Sequence, residues 1–244
     1  YRYKAQYVEA LQEVLLRKSL GNVKTVSMSE YRPPFLDKVN QWNKFNEFTG
    51  GTLVEKCCHY FDLINLIAES KPIRVYASGG QACNFLDFEV DQRKSDIEDH
   101  AFVTIDYKNG VRASFTLNMF CADFSEELVI TGANGRVVAS EKSNFQQQGP
   151  TQLKLSVELG EQGASRTADV NYPRLIEQSG HHGATFYEQL AFMDRLEGEV
   201  VNSATVIQGL WAMIVGSAAQ KSMASKQAVE IEEFLRHNNL ENYL

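Results

Sequence analysis

The stretch HAFVTIDYKNGVRASFTLNMF, residues 100–120, decides the fold class. Two runs of alternating apolar residues flank an Asn-Gly pair, the signature of a tight hairpin between antiparallel strands. A second such unit, EELVITGANGRVVAS at 126–140, follows at once, and QLKLSVEL at 152–159 supplies a further strand. Upstream, NVKTVSMSEYR at 22–32 places Val26 and Met28 at period two, a half-buried strand that runs into Pro33-Pro34. PIRVYASGG at 72–80 reads as another strand.

Helical periodicity brackets this sheet region. Val8, Leu11, Leu15 and Leu16 recur at helical spacing before the stop signal LGN, and a helix is expected from about Leu53 to Glu69. Thr185 to Leu196 and Ala204 to Ser222 are helical in pattern, and QAVEIEEFL at 227–235 closes the chain. The expected fold is α+β, a two-layer α/β arrangement: a large, mostly antiparallel open sheet with helices on one face, in one domain over 1–244.

Composition narrows the function classes. The 244 residues are 43% hydrophobic and 23% charged, ordinary globular material, and the net charge of -7 without a Lys/Arg cluster argues against nucleic acid and anionic membranes. No apolar run approaches the roughly 20 residues of a bilayer span. The four cysteines form no C-x-x-C pair, so a reducing, cytoplasmic setting is expected. Tyr1 is not an initiator methionine, and the chain reads as beginning mid-protein.

LVITGANGRV superficially looks like the strand and glycine turn of a dinucleotide site. The residues after it, RVVAS, are period-two rather than helical, so the hairpin reading is preferred. The chemistry concentrates instead in GGTLVEKCCHYFDLINLI, residues 50–67. At about 100° per residue, Glu55, His59 and Asp62 fall within about 60° of one helix face. A carboxylate one turn from a histidine suits general acid/base chemistry, and Lys56 could bind an oxyanion or a sugar hydroxyl. The alternative has Glu55 capping the helix while His59 and Asp62 satisfy each other.

A divalent metal on the same three residues is a further reading, but three ligands from one short helix rarely enclose an ion, so no metal is assigned. His181 and His182 in SGHHGATFYEQLAF, residues 179–192, read as a solvated helix start. Cys57 and Cys58 read as small core residues. PPFLDKVNQWNKFNEFTGG, residues 33–51, is a long irregular segment rich in aromatics and a candidate binding loop.

Three segments, RYKAQYVEALQEVLLRKSLGNVKTV (2–26), GGTLVEKCCHYFDLINLIAESKPIRVYA (50–77) and GATFYEQLAFMDRL (183–196), resemble the C-terminal domain of the glucose-fructose oxidoreductase/inositol dehydrogenase/MocA family. GLWAMIVGSAAQKS (209–222) with AVEIEEF (228–234) behind it is similar to that domain's end. The resemblance implies an oxidoreductase that moves a hydride between NAD or NADP and a CH-OH group of a sugar, cyclitol or related polyol. It implies a cofactor bound by an N-terminal Rossmann domain missing from this chain, and a homodimer or tetramer formed through the sheet face.

The same resemblance places His59 at the proton-handling position, Glu55 at the orienting acid and Lys56 at substrate contact, the three catalytic candidates. Lys38, Trp42, Asn43 and Asp62 are the substrate-binding candidates. Glu55 replaces the family's usual aspartate and Cys57 a small residue, and the Glu-Lys-Pro segment with the family's catalytic lysine does not occur. The chain alone is therefore expected to be inactive. The competing classes are a non-catalytic binding or oligomerisation domain and a metal-dependent sugar isomerase or hydrolase.

Overall fold

The computed structural model describes residues 1–143, 150–160, 163–201 and 203–243. Residues 144–149, between the second hairpin and QLKLSVEL, lie outside the described residues.

Nine strands form one mixed sheet. In chain order they are β1 (Val23–Tyr31), β2 (Pro72–Gly80), β3 (His100–Tyr107), β4 (Arg112–Asn118), β5 (Phe124–Gly132), β6 (Gly135–Ser143), β7 (Gln152–Leu159), β8 (Arg166–Asp169) and β9 (Val229–Glu230). Across the sheet the order is β8-β7-β6-β5-β1-β4-β3-β2-β9. Only β1 and β4 pair in parallel, with Met28 opposite Phe115; every other neighbour is antiparallel. The parallel pair arises because β1 leaves the sheet through residues 32–71, and the β2-β3-β4 meander returns to its flank.

Both Asn-Gly turns close hairpins. Lys108-Asn109-Gly110 turns β3 into β4, with Gly110 at φ +90°. Ala133-Asn134 turns β5 into β6, so the LVITGANGRV stretch is a hairpin. A Cβ at Gly132 would sit 2.3 Å from the Leu20 carbonyl oxygen, which explains a glycine at that strand end.

The α+β expectation, helices on one face of an open sheet, matches the structure. The helices are α1 (Ala5–Leu11, widening into a π turn over Gln12–Leu16), α2 (Cys58–Ala68), α3 (Ala184–Leu196), α4 (Val206–Ser225) and α5 (Ile231–His237). Tyr7, Ala10 and Val14 of α1, Tyr60, Phe61, Ile64 and Ile67 of α2, and Val215, Ala218 and Ala219 of α4 meet Met28, Phe115, Leu128 and Ile130 of the sheet in one core. The opposite sheet face is open and hydroxyl-rich: Thr25 bonds Thr131 at 2.6 Å, Ser27 bonds Ser114 at 3.0 Å, and Phe102 is 62% exposed. No helix among the described residues is long and apolar enough to cross a membrane.

Three elements differ from the sequence reading. β8 forms in a stretch to which the sequence reading assigns no element, because an edge strand with all four side chains exposed needs backbone pairing but no apolar alternation. Val229–Glu230 is a two-residue strand that passes directly into α5. The expected helix from Leu53 to Glu69 is two helices, Thr52–Glu55 and α2, joined at Lys56-Cys57, where the Cys57 amide reaches back to the Thr52 carbonyl at 3.3 Å.

Helix α4 crosses Thr52–Glu55 closely. A Cβ at Gly216 would lie 2.5 Å from the Leu53 carbonyl oxygen, backbone that cannot move aside. Gly216→Ala is expected to lower stability by about 1–3 kcal/mol, overpacking outweighing the helix-propensity gain of about 1 kcal/mol. Urea denaturation checks this; an unchanged or higher midpoint would show that the crossing is looser than described.

Candidate active site

The break at Lys56-Cys57 turns the Lys56 side chain towards the sheet. Its Nζ lies 3.0 Å from Oε1 of Glu30, a wholly buried carboxylate on β1, and donates to the Tyr1 hydroxyl at 3.2 Å. It also sits over the rings of Tyr1 and Tyr60 at 5.5 and 5.2 Å. One turn on, His59 stacks on Tyr1, ring centroids 5.0 Å apart and 5° from parallel. Neither His59 nitrogen bonds to protein among the described residues, and the residue is exposed overall. Burial of the protein-facing side pushes its pKa down, with Lys56 adding positive charge in the same direction. At neutral pH His59 is therefore uncharged and free to accept a proton.

Glu30 is not alone. It stands opposite Glu126 on β5, and Glu126 stands opposite Glu141 on β6, so three carboxylates lie side by side on the core face of adjacent strands. Like charges directly opposite are destabilising, and buried charges are tolerated only when paired. Lys4, 3% exposed, answers both neighbours, 2.5 Å from Glu126 and 2.8 Å from Glu141. Tyr60 and Tyr7 donate to Glu126 at 2.6 and 2.9 Å, and Gln6 donates to Glu141 at 3.1 Å. His182 Nε2 approaches Glu141 at 3.3 Å.

Burial alone would raise the Glu141 pKa. The His182 hydrogen bond and the charge and hydrogen bond of Lys4 outweigh it, holding Glu141 at about 2 against an ordinary 4.5. One row member remains short of partners: Oε2 of Glu30 is buried with none among the described residues, a cost of about 1–3 kcal/mol.

The remaining sequence-predicted residues lie as follows. Glu55 ends the short helix before the break, half-buried, and has no side-chain hydrogen bond or ion pair among the described residues. Asp62 faces Arg2 rather than His59, in a two-pronged pair at 2.6 and 2.7 Å, and Arg2 also donates to Gln208 of α4 at 3.2 Å. Lys38 is exposed on the 33–51 loop. Asn43 is buried and donates to the Leu36 carbonyl at 3.0 Å, bracing the loop. Trp42 lines a separate open groove with Phe45, Phe48 and Arg93. The structure thus brings Lys56 and His59 together at Tyr1. Lys38, Trp42 and Asn43 belong to the loop beyond β1.

Two cavities open at His59. The smaller, about 130 Å³, is lined by Tyr1, Tyr3, Lys4, His59, His181 and Glu188, among others. The larger, about 590 Å³, shares Tyr1, Tyr3, His59 and Glu188 and extends along α3 and α4 past Phe192, Arg195 and Met213. The hydroxyl of Tyr3 is buried without a partner among the described residues. His181 and His182 stand in a turn that places four consecutive residues in the left-handed region, Gly180 +99°, His181 +46°, His182 +54° and Gly183 +97°. Two non-glycine residues held there cost of order 1–3 kcal/mol each and persist only where their surroundings enforce it.

The sequence reading did not find Lys4, Glu30, Glu126 or Glu141. The signal was present: in VSMSEY, EELVI and VVASE each glutamate falls on the period-two positions of the buried apolar residues, Met28, Leu128 and Ala139. Among the described residues, no three His, Cys, Asp or Glu side chains are arranged to hold a metal ion.

The family model for the C-terminal alpha/beta domain of the oxidoreductase family (glucose-fructose oxidoreductase, inositol dehydrogenase and MocA) matches residues 12–231. The chain belongs to this family. Of proteins with solved structures, levoglucosan dehydrogenase in complex with NADH and levoglucosan superposes with a TM-score of 0.70 at 16% identity, covering 95% of this chain and 64% of that one. Aldose-aldose oxidoreductase from Caulobacter crescentus, complexed with glycerol, gives 0.65 at 17% identity, covering 94% and 61%. The YteT protein of Bacillus subtilis (strain 168) is 31% identical over 81 residues, 32% of this chain and 19% of its own length. The chain therefore spans less than two thirds of each of these relatives.

Lys4 is expected to be the least replaceable residue of this oxidoreductase-family domain. Lys4→Ala takes away the buried ammonium that Glu126 and Glu141 share and is expected to cost about 3–5 kcal/mol in urea denaturation.

A pH series gives a second check. Glu141 has a folded pKa depressed below its unfolded value, so its contribution is full above about pH 4.5 and is lost as pH falls towards about 2. Glu141→Gln is expected to flatten that acid limb, with Asp99 and Glu13, also held below the usual carboxylate range, retaining part of it. An unaltered limb would show that Glu141 is not held ionised.

Proposed function

We propose that this domain is the substrate-binding half of an NAD(P)-dependent oxidoreductase acting on a CH-OH group of an uncharged sugar, cyclitol or related polyol. The single observation that carries the reading is His59: a neutral imidazole with both nitrogens open, stacked on Tyr1 and lining two cavities that share Tyr1, Tyr3 and Glu188. A bound nicotinamide would supply the hydride acceptor or donor. No described strand of this chain runs directly through a glycine turn into a helix, the arrangement that cradles dinucleotide phosphates, so the cofactor is assigned to a separate nucleotide-binding domain. The proposed contact for that domain is the group of exposed apolar side chains Phe192, Met193 and Leu196 of α3 and Val206 and Ile207 of α4, of which Phe192 lines the larger His59 cavity.

On this chain, His59 takes the proton of the reacting hydroxyl. Lys56, held by Glu30 and the Tyr1 hydroxyl, donates towards a substrate oxygen, and Glu55, without a protein partner among the described residues, orients the substrate or the imidazole. Lys38, Trp42 and Asn43 are proposed only as distal contacts, through the loop they share. Asp62 acts through Arg2, anchoring the Tyr1–Tyr3 wall to α2 and α4.

The preference for an uncharged substrate follows from charge accounting around Tyr1; Arg195, farther along the larger cavity, has no ion-pair partner among the described residues. Arg2 is paired to Asp62, Lys4 to Glu126 and Glu141, and Lys56 to Glu30. A phosphate or carboxylate on the substrate would have to compete with buried carboxylates for these cations. The open hydroxyl-rich sheet face, with Phe102 and Tyr76 exposed at one end, is the proposed contact between copies of the chain.

The 244-residue chain alone is expected to show no steady NAD- or NADP-linked polyol oxidation, whereas millimolar myo-inositol or D-glucose slows modification of His59 by diethyl pyrocarbonate. Glucose 6-phosphate is expected to protect no better than glucose. Sustained turnover by the isolated chain, or a His59 modification rate indifferent to every polyol tried, would sink the reading.

A further inference from the structure

The turn Gly180–Gly183 is the one stretch of the described chain with four consecutive positive-φ residues, and it is fixed from three directions. His182 reaches Glu141 at 3.3 Å, at the end of the glutamate row. A Cβ at Gly183 would lie 2.7 Å from the ring of Tyr172, whose hydroxyl donates to the Tyr3 carbonyl at 2.8 Å. His181 Nδ1 lies 3.2 Å from the Thr185 hydroxyl. Anchors of this kind enforce a backbone that the sequence alone disfavours, and such enforced strain clusters where a side chain must be aimed.

What is aimed here is His181. It lines the 130 Å³ cavity together with His59, Tyr1, Tyr3 and Glu188. With Nδ1 engaged by Thr185, its Nε2 has no protein partner among the described residues. The cavity thus holds two imidazoles with open nitrogens and one carboxylate between aromatic walls, and the Tyr3 hydroxyl beside it lacks a partner. Adjacent hydroxyls of a polyol, each both donor and acceptor, satisfy such a set.

We propose that His181 is a second substrate-binding residue of the His59 cavity, contacting a hydroxyl of the polyol, and that His182, tethered to Glu141, is the positioning residue that holds the turn. This rests on the polyol reading above and adds to it a recognition element from the turn before α3. It makes the glutamate row part of the site: the carboxylate that binds Lys4 at one oxygen sets the His181 turn through the other.

The test follows the histidine Cε1–H signals of the 244-residue chain by NMR during titration with myo-inositol and with D-glucose. The expected result is that the His59 and His181 signals move together with one dissociation constant for at least one of the two probes. His181→Ala is expected to weaken that binding about tenfold, the equivalent of one lost hydrogen bond, at an unchanged melting temperature. His182→Asn, which suits a left-handed backbone but has a shorter reach, is expected to shift the His181 signal of the free protein and weaken binding. His182→Gln, whose amide can reach Glu141, is expected to restore it; Gln41 and Gln92 adopt φ of 55° and 64° in this chain, so glutamine is tolerated there.

If His59 responds while His181 does not, or if His181→Ala binds as the parent does, the second-residue inference falls and the polyol reading stands. If neither imidazole responds to either probe, both fall. If His182→Asn changes neither the His181 signal nor the affinity, the tether is overturned whatever His181 does. The parent titration decides the first point even if a variant fails to fold.

Discussion

Three glutamates side by side on the buried face of β1, β5 and β6 are the constraint on which the rest of the site depends. Such a row cannot exist without cations and donors brought from elsewhere, because each desolvated carboxylate is costly unless paired. The structure supplies them from four separate segments. Lys4, Gln6 and Tyr7 come from the N-terminal residues, Lys56 and Tyr60 from the broken helix, His182 from the turn before α3, and Arg32 from the end of β1. The sheet end, the start of α1, the helix break and the histidine turn are therefore bound to one set of buried charges.

This division of labour separates two kinds of polar residue at the cavity mouth. Three cations around Tyr1 are paired: Arg2, Lys4 and Lys56 each have carboxylate partners. The imidazoles are not: His59 and the Nε2 of His181 stay open. Locked charges give a rigid wall whose geometry does not have to be organised when a ligand arrives, and open neutral groups are those able to exchange a proton or a hydrogen bond. The helix break contributes to both. It turns Lys56 in towards Glu30, and it leaves His59 on the first turn of α2, at the surface, against Tyr1.

Much of the fold was legible because it rests on local patterns. The alternation around two Asn-Gly pairs could hardly be anything but hairpins, and the absence of helical periodicity after Gly135 ruled against a nucleotide turn. β8 was not legible, since an edge strand with no buried side chain leaves no apolar period to read. Nor was the split of the 53–69 helix. Its sequence keeps helical spacing throughout, and the wide turn at Cys57 is paired with a lysine drawn to a charge on another element. Within the site, the reactive cluster of 50–67 drew attention to His59 and Lys56, but Asp62 was associated with His59 by helix geometry when its partner was Arg2, 60 residues away in sequence.

By itself, the sequence determined the two-layer architecture, the hairpins, the family and the residues able to do chemistry, because these follow from period, turn type and local motif. Tertiary structure decided the pairings. Glu30, Glu126 and Glu141 become neighbours only once β1 sits between β4 and β5, and only then does Lys4 have a role. His181 changes from a residue at a helix start into part of a cavity wall, and His182 beside it meets Glu141, a residue 41 positions away in sequence. Register across a sheet and the contacts of a distant turn are non-local quantities, and no window along the chain contains them.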